Sequence, residues 1–287
     1  MKQLLILSGK GGTGKTTIAS AFIKLAEAKA YADCDVDAPN LHLISGWNEH
    51  PIRKDYYGLQ KAKIDERLCI YCGQCQENCR FEAITYNDKY EINPYACEGC
   101  SVCEFVCPTK AITMMPDIAG ELMLYSDKEK VFSTAQLKMG SGNSGLLVTE
   151  VKKQMKSETK GGEVAIIDGS PGIGCPVIAS LSGVDMVLIV AEPTVSGISD
   201  MERIIKTASG FNTRIAVCIN KYDINVENSN KIEELCKKQS LDFVGKIPFD
   251  SQVAKILNSG RTIIDVDCIS RSAVKEVYRK TINILFE

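Results

Sequence analysis

The chain has 287 residues, 45% of them hydrophobic and 24% charged, with a formal net charge of −2. These totals describe an ordinary globular protein of one large domain or two smaller ones, and the near-neutral charge argues against broad affinity for nucleic acid. No apolar run approaches the roughly 20 residues of a membrane span, so no stable membrane insertion is expected. The apolar opening Met1–Leu7 runs into Ser8-Gly9-Lys10-Gly11 rather than a cleavage site, which makes the cytoplasm the expected compartment. Thirteen cysteines there imply metal or catalysis rather than disulfides. The two histidines, His42 and His50, are read as surface or packing residues.

Lys2 to Leu7 reads as a buried parallel strand. It feeds Gly9-Lys10-Gly11-Gly12-Thr13-Gly14-Lys15-Thr16-Thr17, and a helix follows with Ile18, Phe22 and Leu25 on one face. Strand, G-x4-G-K-T and helix together make a P-loop, whose backbone N–H groups close around phosphate oxygens at a helix N-terminus. Residues Gly11 to Thr17 are therefore expected to bind nucleotide, Lys15 to reach the β- and γ-phosphates, and the Thr16 hydroxyl to ligate Mg²⁺. A second short strand, Ala30–Asp33, leads into Asp33-Cys34-Asp35-Val36-Asp37. Carboxylates at that end of a parallel strand lie where such sheets bind ligands; the alternative is a solvated acidic loop. Between Gly46 and Gly58 the pattern breaks, and Trp47 is expected to pack at the junction.

The next stretch holds eight cysteines in two copies of C-x2-C-x2-C-x3-C, offset by 28 residues. Cys69, Cys72, Cys75 and Cys79 form the first copy, and Cys97, Cys100, Cys103 and Cys107 the second. This is the run in which the fourth cysteine ligates the other cluster. Cys69, Cys72, Cys75 and Cys107 are therefore assigned to one [4Fe-4S] cluster, and Cys97, Cys100, Cys103 and Cys79 to the other. Three closely spaced cysteines wrap one cube and the chain must then leave it. Zinc ribbons, the alternative, show paired C-x2-C knuckles with a long spacer. The segment resembles a two-cluster bacterial ferredoxin, with Arg80 where the second copy has Pro108. It is expected to occupy residues 59–115, with a short hairpin at Glu121–Tyr125 and Lys130–Ser133 on the return.

Gly140–Gly145 reads as a connector opening a helix from Leu146 to about Met155. Val164–Asp168 is an apolar strand ending in aspartate beside a P-loop, so Asp168 is expected to hold Mg²⁺ through water. Cys175, after the glycine-rich Gly169–Gly174, reads as a small residue packed in its loop; a resemblance of this stretch to the nitrogenase iron protein, which has a cluster ligand near this point, would instead have it face a metal. Strands at Val184–Ala191, Arg214–Asn220 and Phe243–Ile247, separated by helices at about 197–209 and 227–238, imply a parallel sheet covered on both faces. Asn220-Lys221-Tyr222-Asp223 and Ile247-Pro248-Phe249-Asp250 follow two of these strands and offer residues for a base. N-K-x-D is also the guanine signature, so GTP stands as an alternative to ATP. The last helix, from Ser270, carries Val274, Val277, Tyr278, Ile282 and Leu285 on one face and is expected to dock on the sheet. Cys34, Cys218, Cys236 and Cys268 lack ligand spacing and read as packing residues.

Lys10 adds a second lysine to the loop, and K-G-G-x-G-K-T-T resembles the deviant Walker A motif of the MinD/ParA ATPases. The alternative for Lys10 is a solvated loop lysine. The resemblance extends over Asp33–Asn40, Asp168–Pro176 and Asn220–Asp223, nearly the whole chain. It implies a doubly wound, mostly parallel α/β sheet of the SIMIBI class of P-loop NTPases, formed by 1–58 and 116–287, with an inserted α+β ferredoxin-like domain. It further implies that Lys10 reaches a partner's phosphates, that Asp35 orients the attacking water, and that Asn220 and Pro248 hold adenine. The expected partners are a second copy or a related ATPase, and a redox protein. Three functions follow: ATP-dependent electron transfer, iron–sulfur cluster delivery as in Mrp-type relatives, or a positional ATPase whose clusters sense redox state.

Overall fold

A computed structural model describes residues 1–47 and 49–287. The chain runs through β1 (Lys2–Leu7), α1 (Lys15–Leu25), β2 (Ala30–Asp33), a 3-10 turn at Leu41–Ile44 and β3 (Ile52–Tyr57). It continues with β4 (Lys61–Ile64), α2 (Gln74–Glu77), β5 (Ile84–Asn87), β6 (Lys89–Ile92), α3 (Val102–Val106) and β7 (Ile112–Met115). Next come β8 (Ile118–Ser126), β9 (Val131–Leu137) and α4 (Ser144–Glu158). Strand and helix then alternate: β10 (Val164–Asp168), α5 (Cys175–Leu181), β11 (Met186–Ala191), α6 (Val195–Ala208), β12 (Arg214–Asn220) and α7 (Val226–Lys238). The chain ends with β13 (Asp242–Ile247), α8 (Val253–Asn258) and α9 (Ile269–Phe286).

Nine strands form one mostly parallel sheet in the order β13-β12-β11-β1-β10-β2-β9-β8-β3. Parallel pairing runs unbroken from β13 to β9. Its central strands are uninterrupted apolar runs because helices cover both faces and leave no solvent side. From β1 the chain crosses to β2 on one side, while β10 leads to β11 on the other. The connections thus diverge around β1, which places the loop after β1 at a topological switch point.

The stretch expected to be a patternless bridge contains strand β3. It lies at the sheet's edge and buries only Tyr56, so Arg53, Lys54 and Asp55 hide it from periodicity. The expected short hairpin is longer than predicted, and β9 joins the sheet by pairing with β2. Trp47 packs as anticipated: its indole N–H donates to Tyr31 Oη at 2.6 Å and its ring lies against Tyr125. The last helix, α9, docks through Val274, Val277 and Leu285, with Tyr278 meeting Phe22 edge-on at 5.1 Å between centroids. Among the described residues, no helix is long and apolar enough to cross a membrane.

The chain divides into two compact units: Met1–Arg53, Leu122–Gln136 and Gly145–Glu287 form one, and Lys54–Glu121 with Leu137–Ser144 the other. Within the second, β4 pairs antiparallel with β7, and β5 with β6. The cysteine repeat is also a backbone repeat. Left-handed residues fall at Tyr71 and Gly99, at Gly73 and Ser101, and at Glu82 and Lys110, each pair at the cysteine offset. A conformation awkward for L residues is kept in both copies, sometimes without glycine, so the same local path is imposed twice.

In the first unit, α4 carries a buried lysine. Lys152 Nζ donates to the carbonyls of Ala179, Ser180 and Ser182 at 3.2, 2.6 and 2.6 Å, capping the C-terminal end of α5. Burial pushes its pKa down to about 8. Between that value and the ordinary lysine range the unfolded chain binds the extra proton, so this group makes stability rise with pH. Denaturant melts between pH 8 and 10 should show wild type gaining stability relative to Lys152→Met. Parallel curves for the two proteins would rule the linkage out.

Candidate functional site

β1 delivers the chain into a loop around a cavity of about 440 Å³, lined by residues 8 and 10–17 and faced by Asp35, Asn40 and Pro171. Gly14 has φ +90°, and a Cβ there would lie 2.3 Å from Asn220 Nδ2, so both conformation and space require glycine. Lys15 is only 5% exposed, and its ammonium pairs with the Asp168 carboxylate. It also lies 3.4 Å from Thr16 Oγ1. Burial works to lower the Lys15 pKa, but Asp168, Asp33 and Asp35 prevail and raise it.

Asp168 and Asp33 are register partners at the ends of β10 and β2. Asp33 accepts the backbone N–H groups of Asp35, Asn40 and Leu41, each at 3.0 Å, and so shapes the loop that carries Asp35. Burial, reinforced by Asp168, pushes Asp33 up to about 7 against the pull of Lys15 and these amides. Burial also raises Asp35, which faces Lys15. Asp168 Oδ2 is buried and, among the described residues, has no hydrogen-bond partner. Three carboxylates converge on one ammonium, one of them with an unsatisfied oxygen, so the site is short of positive charge. The three do not close on one point as a cation cage, but the free Asp168 oxygen suits a hard divalent cation that shares its coordination with phosphate. Asp37 is exposed and outside the cavity lining.

A second cavity of about 300 Å³ extends past Gly12, Gly14 and Thr17 to Asn220, Lys221, Pro248 and Phe249. Asn220 Nδ2 donates to Thr13 O at 2.7 Å, tying this wall to the phosphate loop. Asp223 is not part of the wall. Its Oδ1 accepts the Phe249 N–H at 2.7 Å and holds the loop that forms the wall. Lys10 pairs with Glu192 at 2.8 Å rather than lying free in solvent. Sequence reasoning put Asp33 at the ligand end of its strand without giving it a role, and it missed Glu192. Cys175, expected either to pack or to face a metal, is exposed at the first turn of α5, which removes the packing alternative. Cys34, Cys218 and Cys236 are buried, as packing residues should be.

The eight repeat cysteines lie around two small cavities in the second unit. One is lined by Cys69, Cys72, Cys75 and Cys107, the other by Cys79, Cys97, Cys100 and Cys103. Each fourth cysteine therefore crosses to the other run. Cys107 Sγ accepts the Ala111 N–H at 3.2 Å. All eight are free thiols. Among the described residues, no group of three or more His, Cys, Asp or Glu could hold a single metal ion. Zinc would need its thiolates gathered about 2.3 Å from one point. A cube keeps its thiolates further apart, on four separate corners. Four sulfurs around an apolar cavity, with an amide donor to one of them, fit that group.

A family model described as the CobQ/CobB/MinD/ParA nucleotide binding domain matches residues 4–263. The chain belongs to the MinD/ParA family. It is 32% identical to an uncharacterized protein of Methanocaldococcus jannaschii, over 97% of this chain and 95% of that one. It is 24% identical to an iron-sulfur cluster carrier protein of Pyrococcus abyssi, over 99% of this chain and 87% of that one. Among solved structures, the septum site-determining protein MinD of Pyrococcus horikoshii, complexed with Mg-ADP, superposes with a TM-score of 0.58 at 16% identity, covering 99% and 96% of the two chains. That last likeness is one of fold.

Within a MinD/ParA nucleotide-binding domain, the Asp223–Phe249 bond bears on base choice. A guanine-reading aspartate must present its carboxylate to the base, and this one is spent on the loop. Asp223→Ala should weaken ATP and GTP alike, by about tenfold, the lower end for a bond to a charged group. Competition titrations with both nucleotides check this. Loss of GTP binding alone would restore the guanine reading.

Proposed function

We propose that the protein is a MinD/ParA-type ATPase in which nucleotide state is coupled to electron transfer through two [4Fe-4S] clusters, acting as a dimer with a redox partner. The observation that carries the cluster half is the crossed arrangement of cysteines, three from one run and one from the other around each cavity. Cys69, Cys72, Cys75 and Cys107 would hold one cluster, and Cys79, Cys97, Cys100 and Cys103 the other. Such clusters supply reversible one-electron transfer. The ATPase half rests on family membership and on the lysine and carboxylates around the phosphate loop.

ATP would lay its phosphates in the loop of residues 10–17 and its base against Asn220 and Pro248. Lys15 would then exchange the Asp168 carboxylate for phosphate oxygens, and loop N–H groups would donate to the remaining oxygens. Thr16 and Asp168 would hold Mg²⁺, which neutralises phosphate charge. Asp35 faces the same cavity and is raised by burial, a placement suited to orienting a water for attack on the γ-phosphorus. Hydrolysis releases phosphate and leaves ADP. Lys10 would act across the dimer on the second copy's phosphates.

Cluster delivery is the second reading, favoured by the kinship to an iron-sulfur cluster carrier protein. Cys75 and Cys97 are buried while Cys72 and Cys100 are exposed, so each cluster would be anchored on one side and open on the other, and the test must separate residence from delivery. Anaerobically prepared protein should carry about eight irons per chain. Cys79→Ser should damage the cluster of Cys97, Cys100 and Cys103 and spare the other, as read by iron analysis and EPR. Damage confined to the cluster of Cys69, Cys72 and Cys75 contradicts the assignment. An iron-free protein sinks the reading altogether.

A further inference from the structure

Lys10 is not waiting in solvent. Its ammonium pairs with Glu192 Oε2 at 2.8 Å and lies 3.2 Å from Thr194 Oγ1 and 3.4 Å from Ser196 Oγ at the start of α6. Glu192 is shared. Its other oxygen, Oε1, pairs with Lys221 at 2.9 Å, and Lys221 Nζ also donates to Gly12 O at 3.0 Å. The Glu192 side chain is 15% exposed, against 33% for Lys10 and 26% for Lys221. One mostly buried carboxylate thus bridges two lysines, one in the phosphate loop and one in the wall of the base cavity.

From this network we infer that Glu192 is a positioning residue for Lys10, holding it in its own chain until a second copy presents phosphate. The inference rests on the reading that Lys10 acts across a dimer. A lysine that must reach a partner's phosphates has to leave its own counterion, and the cost of leaving sets how readily the dimer forms. Removing one member of a buried pair usually strands a charge. Here Lys221 stays behind on Glu192, so the carboxylate is never unpaired and the exchange remains reversible. Lys221 also touches the phosphate loop through Gly12, so movement of that loop on binding nucleotide bears directly on the network. Glu192 and Lys221 therefore act in opposite directions. Glu192 retains Lys10, and Lys221 competes for the same carboxylate and loosens that hold.

The test is sedimentation of the full chain with saturating non-hydrolysable ATP analogue, alongside thermal melts to confirm folding. Glu192→Gln keeps the shape and removes the charge. It should lower the protein concentration at half-dimerisation by about thirtyfold, the scale of two partly exposed ion pairs of about 1 kcal/mol each, one per copy in the dimer. Lys221→Met should raise it, because Glu192 then has Lys10 as its sole partner. Neither shift should survive in a Lys10→Ala background, the double-mutant test that a merely structural role fails. Two results overturn the inference while leaving the trans-acting lysine in place: a Glu192→Gln midpoint equal to wild type when Lys10→Ala is impaired, or a Glu192→Gln shift that persists without Lys10. Normal dimerisation and turnover by Lys10→Ala alone would remove the trans-acting lysine itself, and the inference with it.

Discussion

The Lys15–Asp168 ion pair is the contact on which the nucleotide site depends. Both partners are buried, so each would carry a heavy desolvation penalty without the other. Their strands bring them together: β1 and β10 are parallel neighbours, and the loop and aspartate emerge at the same C-terminal end of the strands. Asp33, one strand further, adds a second buried carboxylate and fastens the loop bearing Asp35 through three amides. The ammonium is thus surrounded by more negative charge than it can neutralise. In the proposed function, phosphate would take the lysine away and a divalent cation would answer the free carboxylate oxygen. The two ligands belong together because the charge balance of the site requires both.

Much of this was legible in the sequence, for reasons that differ by region. The phosphate loop announces itself because its geometry admits few residues, as the space and φ at Gly14 show. The cysteine crossing was readable because the spacing forces the chain away after three thiols. Asp168 follows from an apolar strand ending in a charge. What escaped notice has no local signature. Asp33 looks like one more acid in an acidic stretch until three amides are seen to converge on it. Glu192 and Lys10 are separated by most of the chain and meet only because β11 lies beside β1. Strand β3 was hidden by its own edge position, where one solvated face admits charged residues. Asp223 fitted a guanine motif by letter, yet its carboxylate is turned to a backbone amide of the neighbouring loop.

Chain order places the cysteine unit inside the ATPase at an informative point. The chain leaves the first unit after Arg53, beyond the loop that Asp33 organises, and returns for good at Gly145, before the strand that ends in Asp168. The two acidic segments beside the phosphate-loop cavity are therefore the two that flank the cysteine-bearing stretch. The proposed exchange of Lys15 from Asp168 to phosphate would change the charge balance at both. An element poised between two arrangements can carry such a change to a distant group, with coupling energies of roughly 1–3 kcal/mol.

Cluster potentials respond to hydrogen bonds and exposure, and about 59 mV in a one-electron couple is a tenfold change in equilibrium. The most direct measurement is an EPR-monitored redox titration of the iron-loaded protein, with ADP and with a non-hydrolysable ATP analogue. The account predicts that the midpoint of at least one cluster differs between the two nucleotide states. It also predicts that reducing the clusters changes nucleotide affinity by the same factor. Identical midpoints with both nucleotides, and an affinity indifferent to reduction, would contradict it.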